Sequence, residues 1–229
     1  MDTKRIIQDQ IDTYLNNFLI NKESSLGTFQ NDRVTQHMRF EHIIAPFKEI
    51  LNEETTFHDF GCGCCDMYEY IKLNKLKLKY SGTEIIQEMI DHARLKHPGI
   101  ELYNRDVLNE KVADKYDIVV FSGGLYLPGS IPHNEWKDFV YNVINKMWEM
   151  SSIGISFNLL TTHSEYKHNN LFYVDPMEMF NYCVGNFSRF VKLDHAYPLY
   201  EWSISVFNQD YIIDKYNEPE LNKYLKKQI

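Results

Sequence analysis

An acid, two alternating glycines and three cysteines fall together in Asp59-Phe60-Gly61-Cys62-Gly63-Cys64-Cys65. Glycine has no Cβ, so a turn built on Gly61 and Gly63 lets backbone approach a ligand closely. The run from Thr56 to Phe60 is apolar, and Met67 to Leu78 carries a helical pattern. Strand, glycine turn and helix in that order form nucleotide sites in doubly wound folds. Alone, Gly61-x-Gly63 is a weak signal. A second apolar segment, Leu78 to Thr83, ends at Glu84. A carboxylate at that strand end is placed to accept both hydroxyls of a ribose. A third strand-like run, Ile100 to Asn104, is followed by Asp106. Three successive strand ends each deliver an acid or a glycine turn, and together they predict a nucleoside-binding site.

These residues resemble the class I S-adenosylmethionine-dependent methyltransferases. That family's first motif is an acid followed by three alternating glycines, matched here by Asp59, Gly61 and Gly63, with Cys65 in place of the third glycine. A side chain at Cys65 makes a left-handed backbone more costly than glycine would. The resemblance implies S-adenosyl-L-methionine as cofactor. It assigns Glu84 to the ribose and Asp106 to the adenine amino group. Cys62, Ile85, Val107 and Ser122 join the cofactor contacts beside them. Tyr116 to Gly124 matches the fourth strand and its exit. The segment Gln36-His-Met-Arg39-Phe40 is similar to one before the first strand in some bacterial small-molecule members, which implies Arg39 as the cation for the cofactor's carboxylate. The implied fold is a seven-stranded α/β Rossmann-like sheet, mostly parallel, in order 3-2-1-4-5-7-6, with the last strand antiparallel and helices on both faces.

Chain length fits one domain. The expected division is a helical lid over residues 1–52, a cofactor-binding core over 53–208 and a charged tail over 209–229. No apolar run approaches the ~20 residues of a membrane span, and the start of the chain lacks a signal-peptide core, so a cytoplasmic protein is expected. The net charge is −8, which disfavours nucleic acid as a partner because such binders usually carry a basic face. A small-molecule acceptor and a monomer or homodimer are expected. The cysteines are Cys62, Cys64, Cys65 and Cys183. Zinc sites use paired C-x-x-C units; this spacing offers no second pair, and no metal is expected.

Elements follow from periodicity. Helices are predicted around Ile11–Ile20, Val34–Leu51, Gln87–Lys96 and Asn134–Met150, with a stop at His97-Pro98-Gly99. Tyr116 to Phe121 reads as a central parallel strand covered on both faces, and Ile153 to Leu160 as the fifth strand. Asp175-Pro176 starts a helix through Cys183. Phe190–Leu193 and Trp202–Phe207 read as an antiparallel hairpin.

Ligands of open α/β sheets sit at the carboxyl ends of the strands. The residues leaving those ends are therefore the acceptor-side candidates: Tyr126, His133, Asn158, Tyr173 and Tyr197. Methyl transfer to a neutral hydroxyl needs a general base. His163 directly follows a strand end and is the first choice, with His195 second, because histidine titrates near neutrality. Most of the nine histidines are expected on the surface. Tyr14 is read as one of several aromatics on an apolar helix face.

A nicotinamide dehydrogenase would want glycine at the sixth motif position, where Asp66 stands. An adenine-directed amino methyltransferase would carry an N/D-P-P-Y-like segment, where this chain has Ser122-Gly-Gly-Leu-Tyr126. The carboxyl half resembles bacterial enzymes that tailor sugars and surface polysaccharides, on Phe157 to His163, Leu171 to Pro176 and His195 to Tyr200. That implies a sugar or phosphate-like oxygen as acceptor. A metabolite amine is the alternative, and a cofactor-binding module without turnover is the non-enzyme alternative.

Overall fold

The computed structural model describes residues 2–21, 25–29 and 32–225; parts of the polar break at 21–30 and of the tail lie outside them. Eight strands form one sheet: β1 (Thr56–Phe60), β2 (Lys79–Glu84), β3 (Glu101–Asn104), β4 (Tyr116–Phe121), β5 (Ser151–Thr161), β6 (Tyr173–Val174), β7 (Val191–Asp194) and β8 (Glu201–Phe207). The order is β3-β2-β1-β4-β5-β8-β7, and the two-residue β6 pairs beside the end of β5. With β6 set aside, this is the expected 3-2-1-4-5-7-6. β8 runs antiparallel to β5, and β7 antiparallel to β8. Two residues are too few to show a period, which is why β6 is invisible in the sequence.

Helices α1 (Thr3–Asn21), α2 (Arg33–Ile44), α3 (Asp66–Leu73), α4 (Gln87–Lys96), α5 (His133–Met150), α6 (Pro176–Asn186), α7 (Gln209–Lys215) and α8 (Asn222–Leu225) surround the sheet. The helix expected over Val34–Leu51 divides. Its second part, Ala45–Ile50, is a 3₁₀ segment with proline near its start. Pro46 has no N–H to continue the α-helical ladder. α3 stops at Leu73, short of the expected Leu78.

β4 shows why the sheet is central. Ile118, Val119 and Val120 are all fully buried. Val119 packs with α5 residues such as Trp136, Val140 and Ile144 on one face. Ile118 and Val120 pack with Phe40, Ile43 and Phe47 on the other. Each such side chain contributes about 1.5–3 kcal/mol by leaving water. Trp136 and Trp202 are buried with their indole N–H groups donating to Leu125 O at 2.9 Å and Val174 O at 3.0 Å. The sheet therefore holds the carboxyl ends of β1, β2 and β4 in fixed register, and the loops leaving them build the site.

Candidate active site

The glycine loop is pinned to the neighbouring strand. Gly61 N and Cys62 N both donate to Thr83 O, at 2.8 and 3.0 Å, and Cys65 N donates to Cys62 O at 2.8 Å. Cys65 has φ 64° and ψ 36°, a left-handed conformation. The chain thus follows the path of the third glycine even though it carries a side chain there. Phe121, at the end of β4, fills the space beside this loop. A Cβ at Gly61 would lie 2.5 Å from the Phe121 ring, and one at Gly124 would lie 2.8 Å from it. A side chain at either position would force that ring to move.

Glu84 is buried and is held by three backbone donors. Ile85 N and Ile86 N reach Oε1 at 2.8 and 3.0 Å, and Gly63 N reaches Oε2 at 2.9 Å. Burial raises its pKa, against those three hydrogen bonds, which lower it. Asp59 is buried beneath the loop and accepts from the Tyr80 hydroxyl at 2.8 Å. Burial pushes its carboxyl up to about 7, Tyr80 opposes the rise, and the nearby Glu84 and Asp66 carboxylates add to it. Asp106 caps its own turn, accepting from Leu108 N and Asn109 N at 3.1 Å each. Burial drives the Cys64 thiol up to about 12. Cys62 is raised by its hydrogen bond with Cys65 and then by burial. These are inert protonated thiols rather than nucleophiles.

These groups surround a cleft of about 160 Å³. Asp59, Gly61, Cys62, Gly63, Glu84, Ile85, Asp106, Val107 and Ser122 all line it. Helix α1 contributes Ile7, Gln10 and Tyr14, and α2 contributes Gln36 and Phe40. Gln36 Nε2 also donates to Asp66 Oδ2 at 2.8 Å. The wall carries Asp59, Asp66, Glu84 and Asp106. Among the described lining residues Arg105 is the cation, and it pairs with Asp114. The Tyr14 hydroxyl is buried without a hydrogen-bond partner among the described residues. Burial raises its pKa, and Tyr126 and Glu84 raise it further. Gln10 and Asp66 were not legible as site residues. The Ile7, Gln10, Tyr14 spacing marks one helix face and was the available signal.

Other expected positions lie outside this cleft. Arg39 is not on its wall: the guanidinium Nε donates to Glu201 Oε1 at 2.7 Å in a buried ion pair. The assignment of Arg39 to the cofactor's carboxylate is corrected accordingly. His163 has a side chain 62 % exposed and its Nε2 4.0 Å from Asp175 Oδ2. Its ring lies 6.1 Å from that of His195, also exposed. Both histidines face solvent, and no histidine lines the cleft among the described residues. His133 is exposed against Phe172. Tyr173 accepts from His168 N at 3.0 Å. The Tyr197 hydroxyl bonds Ser203 Oγ at 2.8 Å, and its ring stacks on His42. Tyr126 is buried next to the cleft, with its carbonyl accepting from Phe172 N. Asn158 is buried between Gly123 N and Glu201. No group of three or more His, Cys, Asp or Glu able to hold a metal occurs among the described residues, and none of their helices is long and apolar enough to cross a membrane.

A glycine loop after β1, acids ending β2 and following β3, and an antiparallel β8 define the fold of the class I methyltransferases. No family model matches the chain. The chain is similar to "Putative methyltransferase Rv1506c" of Mycobacterium tuberculosis (strain ATCC 25618 / H37Rv), with 29% identity over 154 residues, 66% of this chain and 92% of the relative. Among solved structures, a DhpI-SAH complex superposes with a TM-score of 0.61 and 12% identity, covering 89% of this chain and 97% of DhpI. The N-methyltransferase NodS from Bradyrhizobium japonicum WM9, in complex with S-adenosyl-L-homocysteine, gives a TM-score of 0.61 and 11% identity, covering 87% and 98%. The magnesium protoporphyrin IX methyltransferase ChlM from Synechocystis PCC 6803, with bound SAM, gives 0.55 and 13%, covering 76% and 80%. At these identities the likeness to the solved structures is one of fold.

Proposed function

We propose that this chain is an S-adenosylmethionine-dependent methyltransferase acting on a small molecule. The observation that carries the reading is the acidic cleft at the strand ends, with Glu84 buried in its wall and fixed by three backbone donors. The donor set fits the cofactor. Glu84 would take the ribose. Ile85, Met89, Val107 and Leu108 offer an apolar slot for adenine beside Asp106, and Gly61 to Gly63 with Asp59 would face the amino-acid end. A sulfonium and an ammonium suit a wall carrying four carboxylates. When bound, the cofactor supplies an electrophilic methyl group on a good leaving group. The chain's part is alignment and exclusion of water: Trp136, Phe139, Val143 and Met89 make part of the wall apolar.

The same acidity bears on the acceptor. A phosphate-like oxygen would meet like charge there, whereas an amine would be attracted and needs only deprotonation before attack. The amine is therefore the preferred acceptor. A sugar hydroxyl is the second reading, carried by the resemblance of the carboxyl half to sugar-tailoring enzymes. Labelled S-adenosylmethionine incubated with amines, neutral sugars and phosphorylated sugars tests the order. Label transfer to amines supports it. Transfer to phosphorylated sugars alone overturns the charge argument, and cofactor binding without any transfer favours a binding module.

A further inference from the structure

A buried polar chain crosses the molecule behind the cleft. Arg39, on α2, donates to Glu201 Oε1 at 2.7 Å; Asn158 Nδ2, on β5, donates to Glu201 Oε2 at 2.6 Å; and Asn158 Oδ1 accepts from Gly123 N at 3.0 Å. Arg39, Glu201 and Asn158 are 9 %, 1 % and 1 % exposed. Four elements of distant sequence meet here: α2, β8, β5 and the loop leaving β4. Only the last end of the chain touches the cleft, because Ser122, Gly123 and Gly124 line it and Asn158 and Glu201 do not.

Gly123 sits at φ 77°, so this loop is not held by strand geometry. Its N–H is fixed by a side chain instead. In a trans peptide the carbonyl of Ser122 points opposite to that N–H, away from Asn158. Fixing one amide thus fixes the orientation of the polar backbone that the loop offers to the cleft. Glu201 gives Asn158 its orientation: with Nδ2 committed to a carboxylate, Oδ1 must face Gly123. Arg39 in turn neutralises Glu201, whose burial raises its pKa. A buried carboxylate without its cation is costly.

We propose that Arg39, Glu201 and Asn158 are positioning residues that set the Ser122–Gly124 loop for ligand binding, with α2 as the anchor of that loop. The proposal rests on the functional reading above for the ligand, and on geometry alone for the loop. It replaces a direct contact of Arg39 with the cofactor by an indirect one.

The test uses S-adenosyl-L-homocysteine as the probe, with calorimetry, and glycine-selective NMR to follow amide exchange at Gly123. In the native protein the Gly123 amide should be protected as a buried hydrogen bond is. Asn158→Asp places two carboxylates in contact, and Glu201→Gln removes the partner charge of Arg39. Each single variant should lose protection at Gly123 and bind the probe about tenfold or more weakly, as loss of a buried charged hydrogen bond implies. Asn158→Asp combined with Glu201→Gln restores one negative charge and an amide-to-carboxylate bond, so affinity should return to within about threefold of native, a coupling expected only of groups in one network. Folded single variants that bind as the native protein does would overturn the proposal, as would a double variant no better than the sum of the singles. If the single variants fail to fold, Arg39→Lys, which keeps a positive charge beside Glu201 but loses the guanidinium donor, decides by the same exchange: faster exchange at Gly123 with weaker probe binding is expected, and native exchange with native affinity overturns the proposal, as does an unprotected Gly123 amide in the native protein. A native protein that does not bind the probe sinks the proposed function, while Gly123 exchange still judges the loop.

Discussion

Replacing Glu84 by glutamine tests the centre of the site. The native carboxylate accepts three backbone N–H bonds, one of them from Gly63 in the glycine loop. Glutamine has one oxygen. Turned to keep Ile85 N and Ile86 N, it points its NH2 group at Gly63 N–H, donor against donor. One hydrogen bond to a charged group, about 1.5–3 kcal/mol, is lost, and the desolvation of the carboxylate is relieved in partial compensation. The protein without ligand should thus lose about 1–2 kcal/mol of stability, read as a lower urea midpoint at unchanged slope. The two ribose hydroxyls would also find one acceptor instead of two. Affinity for S-adenosyl-L-homocysteine should fall by about tenfold to a hundredfold. Calorimetry and urea titration of the same preparation measure the two losses separately. A variant with native midpoint and native affinity would refute both the loop contact and the assignment of the cleft.

Cys65→Gly and Cys65→Ala form a pair. At an ordinary backbone alanine is the more stable by about 0.5–1 kcal/mol, but at the left-handed Cys65 the glycine variant should be the more stable by a similar amount; a urea titration favouring alanine would contradict the geometry. For Asp59 burial raises the folded pKa above the ordinary aspartate range to about 7, so the folded state holds the proton more tightly and stability falls as pH rises from about 4 through 7. Asp59→Asn, which keeps an acceptor for Tyr80, should gain more on the native protein at pH 8 than at pH 5, and parallel thermal melts at the two pH values that stay equidistant would reject this. Tyr14→Phe removes a buried hydroxyl that has no hydrogen-bond partner among the described residues. It should leave stability unchanged or raise it while weakening binding of the methylated or demethylated cofactor, and tighter binding by the variant would show that the hydroxyl meets no ligand.

The strand ends were legible because each acid follows its own strand, and local order alone carries Asp59, Glu84 and Asp106 to one edge of the sheet. The sheet order is different: it is implied by the family resemblance, and local order gives only the final hairpin. Arg39 was not legible in this way. Its partner Glu201 lies 162 positions away, and nothing in the Gln36–Phe40 segment announces a carboxylate on β8. His163 has the expected place after β5 but turns outward, since a strand end sets a residue's position and the following turn sets its direction. Pro46 breaks the second helix, but the apolar spacing that continues through it masks the break in the sequence. The left-handed Cys65 follows from the turn and not from its own side chain, so the motif predicts the backbone better than the residue type does.

The Phe121 ring, wedged against Gly61 and Gly124, makes three positions on two loops heritable as a unit. A side chain gained at either glycine forces the phenyl ring to shift, because Cβ contacts of 2.5 Å and 2.8 Å are essentially never made. The order of mutational steps is thereby biased: a smaller residue at 121 relieves the contact at both positions, though Gly61, at φ 71°, stays costly for any other residue. Chains that drift at 61 or 124 should carry a compensating reduction at 121. In directed evolution of this cleft, libraries that randomise the glycines with Phe121 fixed would be largely inactive, whereas libraries that open 121 first give the two loops somewhere to go.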